Sequence, residues 1–137
     1  MSPVRLRLDR FWLPDAAQSL FARAQAVVSL ENHPPLLAAA AGTPFVMVHQ
    51  PEDSFKGDMF IDIGLGDWDV PDVNQAAGED IARMLMNIVS DMPAARAKLA
   101  RAMAFVNERQ RVGMMEVRRT LGLSTHGMLG FPDRVYR

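Results

Sequence analysis

The stretch Ala26-Val27-Val28-Ser29-Leu30, with Leu36-Leu37-Ala38-Ala39-Ala40-Ala41-Gly42-Thr43-Pro44 and Phe45-Val46-Met47-Val48 behind it, decides the fold. Both apolar runs are short and rich in branched or aromatic side chains, which suits strands buried on two faces of a parallel sheet. Glu31-Asn32-His33-Pro34-Pro35 interrupts the pattern, and Leu36 to Ala41 reads as a helix. Gly42 is placed to end that helix, because glycine enters the left-handed region without steric cost. Pro44 forbids its continuation. Ala26 to Val48 is therefore a strand–helix–strand unit, and a crossover between parallel strands is expected to be right-handed.

Outward from this unit the alternation persists. Upstream, Val4 to Leu8 reads as a strand with Val4, Leu6 and Leu8 on one face and Arg5 and Arg7 on the other. Asp15 is the expected cap of a helix running to Gln25, with Ala17, Leu20, Phe21 and Ala24 as its apolar positions. Downstream, the loop from His49 to Ser54 leads to a helix over Phe55–Ile63 that stops at Gly64, and Trp68 to Val70 is a short strand. Ile81, Met84, Leu85 and Ile88 follow the spacing of one buried helical face. Asp91 and Pro93 start a last helix towards Arg119, with an interruption expected at Gly113. Its apolar members are Leu99, Met103, Val106, Met114, Val117 and Leu121. The pattern predicts one α/β domain over 1–121, with a narrow, mostly parallel sheet covered by helices on both faces, and a tail over 122–137.

At 137 residues, 49% hydrophobic and 23% charged, the chain has the composition of one globular domain. No apolar run approaches the ~20 residues of a membrane helix, and Met1 to Arg7 lacks a secretory pattern, so a cytoplasmic location is the expectation. The absence of cysteine excludes disulfides, thiolate nucleophiles and cysteine-bound metal. The net charge of −1 argues against a nucleic-acid partner. It conceals an asymmetry, because acids crowd Glu52 to Asp80 while arginines dominate beyond Met92. No phosphate-binding glycine loop, nucleophile elbow, catalytic triad order or metal-ligand spacing is present, and no cofactor is expected. Asp58 and Asp62, and the pair Asp67 and Asp69 around Trp68, read as solvated carboxylates.

The segment Val27-Val28-Ser29-Leu30-Glu31-Asn32-His33, the alanine-rich helix, Gly42-Thr43-Pro44, Phe45 to Val48, Lys56, and Phe60-Ile61-Asp62-Ile63-Gly64-Leu65 come in an order that resembles the polysaccharide pyruvyl transferases. In that family a buried strand ends in an Arg-Leu-His turn, followed by a helix, an Ala-Gly-Thr-Pro-like turn, a strand and a loop carrying lysine. The resemblance implies the C-terminal half of a two-domain, glycosyltransferase-like enzyme with a three-layer Rossmann-like arrangement. It also implies pyruvyl or glycosyl transfer to cell-surface polysaccharide, with a phosphoenolpyruvate or nucleotide-sugar donor. Glu31 and Asn32 stand where the family has arginine and leucine, which replaces a bidentate phosphate ligand by a carboxylate. Pro34 and Pro35 each delete an N–H from the helix start, where a phosphate would bind. The family's active site lies between two such halves, so a separate chain is expected to supply the first, or the activity is absent.

In open α/β sheets ligands bind outside the carboxyl ends of the strands. The loops Leu30–Pro35 and His49–Lys56 meet that condition and offer Glu31, Asn32, His33, His49, Gln50 and Lys56. His33 is the candidate general acid–base, its alternative role being to brace the loop. Glu31, Asn32, His49, Gln50 and Lys56 are the candidate donor-binding residues, with Lys56 equally able to neutralise Glu52 and Asp53. The apolar stripe of the last helix is a candidate contact for a partner chain or a second copy; the alternative is packing on its own domain. Two readings therefore stand: a transferase half, or a non-catalytic binding or assembly module derived from one.

Overall fold

The computed structural model describes residues 12–52, 58–75 and 78–123. The expected strand Val4–Leu8, the candidate ligand Lys56 and the tail beyond Leu123 lie outside them. The elements in chain order are α1 (Pro14–Phe21), β1 (Val27–Ser29), α2 (His33–Ala40), β2 (Phe45–Val48), α3 (Asp58–Asp62), a 3-10 turn (Gly66–Trp68), β3 (Asp69–Val70), α4 (Gly78–Ser90) and α5 (Met92–Thr120).

The three strands form a parallel sheet in the order β1-β2-β3. Val27 lies beside Phe45 and Ser29 beside Met47; Met47 in turn lies beside Asp69. The strand β2 is the axis of the core, because all four of its residues are buried. Side chains alternate across a strand, so both faces of β2 are covered. The strand β1, an edge among the described strands, behaves differently. Val27 is buried but Val28 is exposed, which corrects the expectation of burial on both faces. Phe45 anchors the centre, with its ring 4.9 Å from Phe60 and 5.7 Å from Trp68, the latter edge-on. Such aromatic pairs contribute about 1 kcal/mol beyond the area they bury.

The helix boundaries follow from capping chemistry. Helix α2 starts at His33, earlier than the expected Leu36, since the first turn tolerates Pro34 and Pro35 where no N–H is needed. Gly42 closes it at φ 73°, with Thr43 N–H donating to the Ala38 carbonyl and Gly42 N–H to that of Ala39. The Thr43 hydroxyl then donates to the Phe21 carbonyl at 2.8 Å, fastening α1 beside the start of β2. Helix α1 begins at Pro14 with Leu13 as its cap residue, so Asp15 sits in the first turn and accepts from Ala16 N–H. It ends at Phe21, short of Gln25. Gly64, at φ 82°, stops α3 as expected.

Asp91 caps α5 by accepting from Ala94 N–H at 3.1 Å. The helix then runs unbroken through Gly113 to Thr120, without the expected interruption. One glycine raises helix free energy by about 1 kcal/mol relative to alanine, too little to end a well-capped helix. Ala95, Leu99 and Ala102 are its buried residues, all in its first half. No helix among the described residues is long and apolar enough to cross a membrane.

Candidate functional site

Parallel strands point their carboxyl ends to one edge, which places the ends of β1 and β2 side by side. The two loops named from sequence do emerge there, but their side chains do different things. At the end of β1, the Ser29 hydroxyl donates to the Glu31 carbonyl at 2.9 Å and accepts from Glu31 N–H at 3.0 Å, closing a tight loop. That loop leaves Glu31 exposed.

Asn32 holds the cap position of α2 without capping it. A capping asparagine accepts from the N–H groups two or three residues on, and here those residues are Pro34 and Pro35. As a direct consequence its Oδ1 is buried without a hydrogen-bond partner among the described residues. The same prolines remove the donors that an anion would need at this helix start. His33 is exposed at the first position of α2 and makes no side-chain bond among the described residues. Gln50 is exposed on the loop after β2.

His49 is the exception in the set. It is buried, and its ring Nε2–H donates to Asp69 Oδ1 at 2.5 Å, with both side chains only 6% exposed. Its backbone extends the ladder past β2: His49 N–H donates to the Val70 carbonyl, and its carbonyl accepts from Val73 N–H, each at 2.8 Å. Burial strips water from Asp69 and raises its carboxyl above the ordinary value; the His49 contact opposes that rise, and the Asp58 carboxylate adds to it. This buried imidazole–carboxylate pair ties β2 to β3 and closes the carboxyl edge. The structure thus brings His49 to the expected edge but turns it inward, away from Glu31 and His33. Asp69 carries the contact, and its place one residue into a short parallel strand was the only signal for it. The expectation that the Asp67–Asp69 pair is solvated holds for Asp67 and fails for Asp69.

A separate cleft of about 420 Å3 lies where α4 turns into α5. Met84, Ile88 and Trp68 line its apolar side, while Asp67, Lys98 and Arg101 line its polar side. Lys98 bonds to Asp67 and sits 5.5 Å from the Trp68 ring centre. None of the residues singled out at the carboxyl edge lines this cleft. Among the described residues no three histidine or acidic side chains gather into a metal-binding group.

The third surface is the second half of α5. From Ala104 to Leu123 every residue is exposed except Val106 and Arg118, which are half-buried. Phe105, Val112, Met114, Met115, Val117 and Leu121 are between 37 and 65% exposed. Glu108 pairs with Arg111 and Glu116 with Arg119, each one helical turn apart, so the helix gains support from its own side chains. Each arginine holds its glutamate below the usual carboxylate range.

No family model matches the chain, and neither does any curated protein or solved structure. The likeness to polysaccharide pyruvyl transferases accordingly rests on the residues quoted above.

Proposed function

We propose that this chain is a non-catalytic assembly module, built on a Rossmann-like, three-layer half-domain of the kind polysaccharide pyruvyl transferases carry and working through the projecting half of α5. The observation that carries this reading is the set of exposed apolar residues on that helix beyond Met103, with Phe105, Val112 and Met115 on one side and Met114, Val117 and Leu121 on another. Single exposed apolar residues are ordinary, but six of them on the same half of one helix support a protein contact.

The carboxyl edge supports the same choice over the transferase reading. A phosphate or carboxylate donor needs N–H groups, guanidinium or ammonium charge facing it. Among the described residues this edge presents Glu31, an uncapping Asn32, two prolines and a His49 locked against Asp69. A cytoplasmic role alongside polysaccharide synthesis belongs to this proposal through the resemblance.

The test is an amide NMR titration with phosphoenolpyruvate and, separately, a uridine diphosphate sugar. The expected result is no saturable shift at millimolar ligand. Saturable shifts at Glu31–His33 and His49–Gln50 would overturn the assembly reading and restore the transferase half.

A further inference from the structure

The cleft between α4 and α5 takes no part in the assembly reading, and helical spacing explains its lining. Met84, Asn87 and Ile88 stand three and four residues apart on α4, so they share one face. Ala94, Lys98 and Arg101 do the same on α5. Trp68 and Ile88 are buried, and Met84 is half-buried beside them. Ala94 and Ala95 offer only methyl groups on the opposite side, which leaves the space open. A volume of about 420 Å3 is within the range of small-ligand sites.

The charges that line this cleft are unequal in what they already bind. Lys98 bonds to Asp67, lies over the Trp68 ring and has a side chain 27% exposed, so its charge is answered within the chain. The Asp91 carboxylate accepts from Ala94 N–H at the start of α5. Arg101 is exposed and pairs with no carboxylate among the described residues. It stands about 15 Å along the helix from Asp91, at ~1.5 Å per residue, which exceeds the screening length of ~8 Å in physiological salt. Asp91 therefore leaves the positive end of the cleft unbalanced.

We propose that the cleft binds a small monocarboxylate with an unbranched apolar tail. Its carboxylate pairs with the Arg101 guanidinium, whose planar fork matches the two oxygens. Its tail lies between Met84 and Ile88 on one side and Ala94 and Ala95 on the other. The same lining selects against other classes. A cation finds the Trp68 ring already taken by Lys98. A phosphate dianion meets the carboxylates of Asp67 and Asp91 and has nothing to set against the apolar side.

The experiment is an amide NMR titration of the full chain with hexanoate, and separately with hexanamide and inorganic phosphate. Hexanoate should give saturable millimolar shifts at Asp67–Trp68, Met84–Ile88 and Ala94–Arg101. Hexanamide, which keeps the tail and lacks the charge, should bind about tenfold more weakly, and phosphate should leave these amides unmoved. Arg101→Gln should weaken hexanoate by a similar factor, whereas Arg96→Gln, on the same helix outside the cleft, should not. Ala94→Phe should block the tail, with circular dichroism confirming that each variant is folded. No saturable shift at these residues overturns the proposal, as does hexanoate binding that ignores Arg101→Gln or is matched by hexanamide. None of these outcomes bears on the assembly reading, whose donor titration is read at the carboxyl edge.

Discussion

The two halves of α5 obey the same helix rules and meet different surroundings. The first half gives Ala95, Leu99 and Ala102 to the core, while the second half has no buried residue. The first is held by packing. The second is held by its cap at Asp91, by helix continuity and by the Glu108–Arg111 and Glu116–Arg119 pairs. Most helical stability in proteins comes from tertiary packing, so the first half carries the fold and the second half depends on it.

The sharpest way to break the contrast is one deletion in each half. Leu99→Ala should lower unfolding free energy by about 3 kcal/mol, whereas Val117→Ala should stay within about 0.5 kcal/mol in dilute solution. Urea denaturation measures both, and equal losses would mean that the second half packs on the domain. Next in size is the buried pair that closes the carboxyl edge. His49→Ala leaves Asp69 without its donor and should remove about 2 kcal/mol, since the carboxyl escapes part of the penalty by taking up a proton.

Asp69 also has a pH signature. Its folded value lies above the ordinary one, so its stabilising contribution is complete below pH about 3.8 and is lost as pH rises through the raised folded value. Wild-type stability relative to Asp69→Asn should therefore decline across that interval, and a flat difference in urea melts would remove the buried-carboxylate account. A subtler effect is expected at Gly113. Gly113→Ala should stabilise the helix by up to about 1 kcal/mol, seen as slower amide exchange along the second half of α5. The smallest effect belongs to Glu108 and Glu116. Their pKa values are lowered by Arg111 and Arg119, so the support they give is present above pH about 4.5 and fades as pH falls through the lowered values. A slight acid loss of far-ultraviolet ellipticity, larger at low salt, is the expected readout, and no salt dependence would argue against the pairs.

Much of the fold was legible because its signals are local. Phe45 to Val48 reads as a buried strand from apolar content alone, Gly42 and Gly64 stop helices, and Asp91 before Pro93 starts one. The misreadings share a cause in the neighbours. Val28 looks as buried as Val46 until β1 proves to be an edge among the described strands. Asp69 looks like Asp67 until the sheet register carries it under His49. At the candidate site, the two loops and their edge were readable from alternation, whereas the inward turn of His49 was not.

By itself the sequence determined the α/β alternation, the central strand and the helix stops, because these follow from side-chain periodicity and backbone freedom within a few residues. Only the tertiary structure decided which polar groups face each other and which apolar ones stay exposed. Burial and pairing are properties of contacts between distant segments: His49 is buried against a residue twenty positions away, and Val117 stays half exposed.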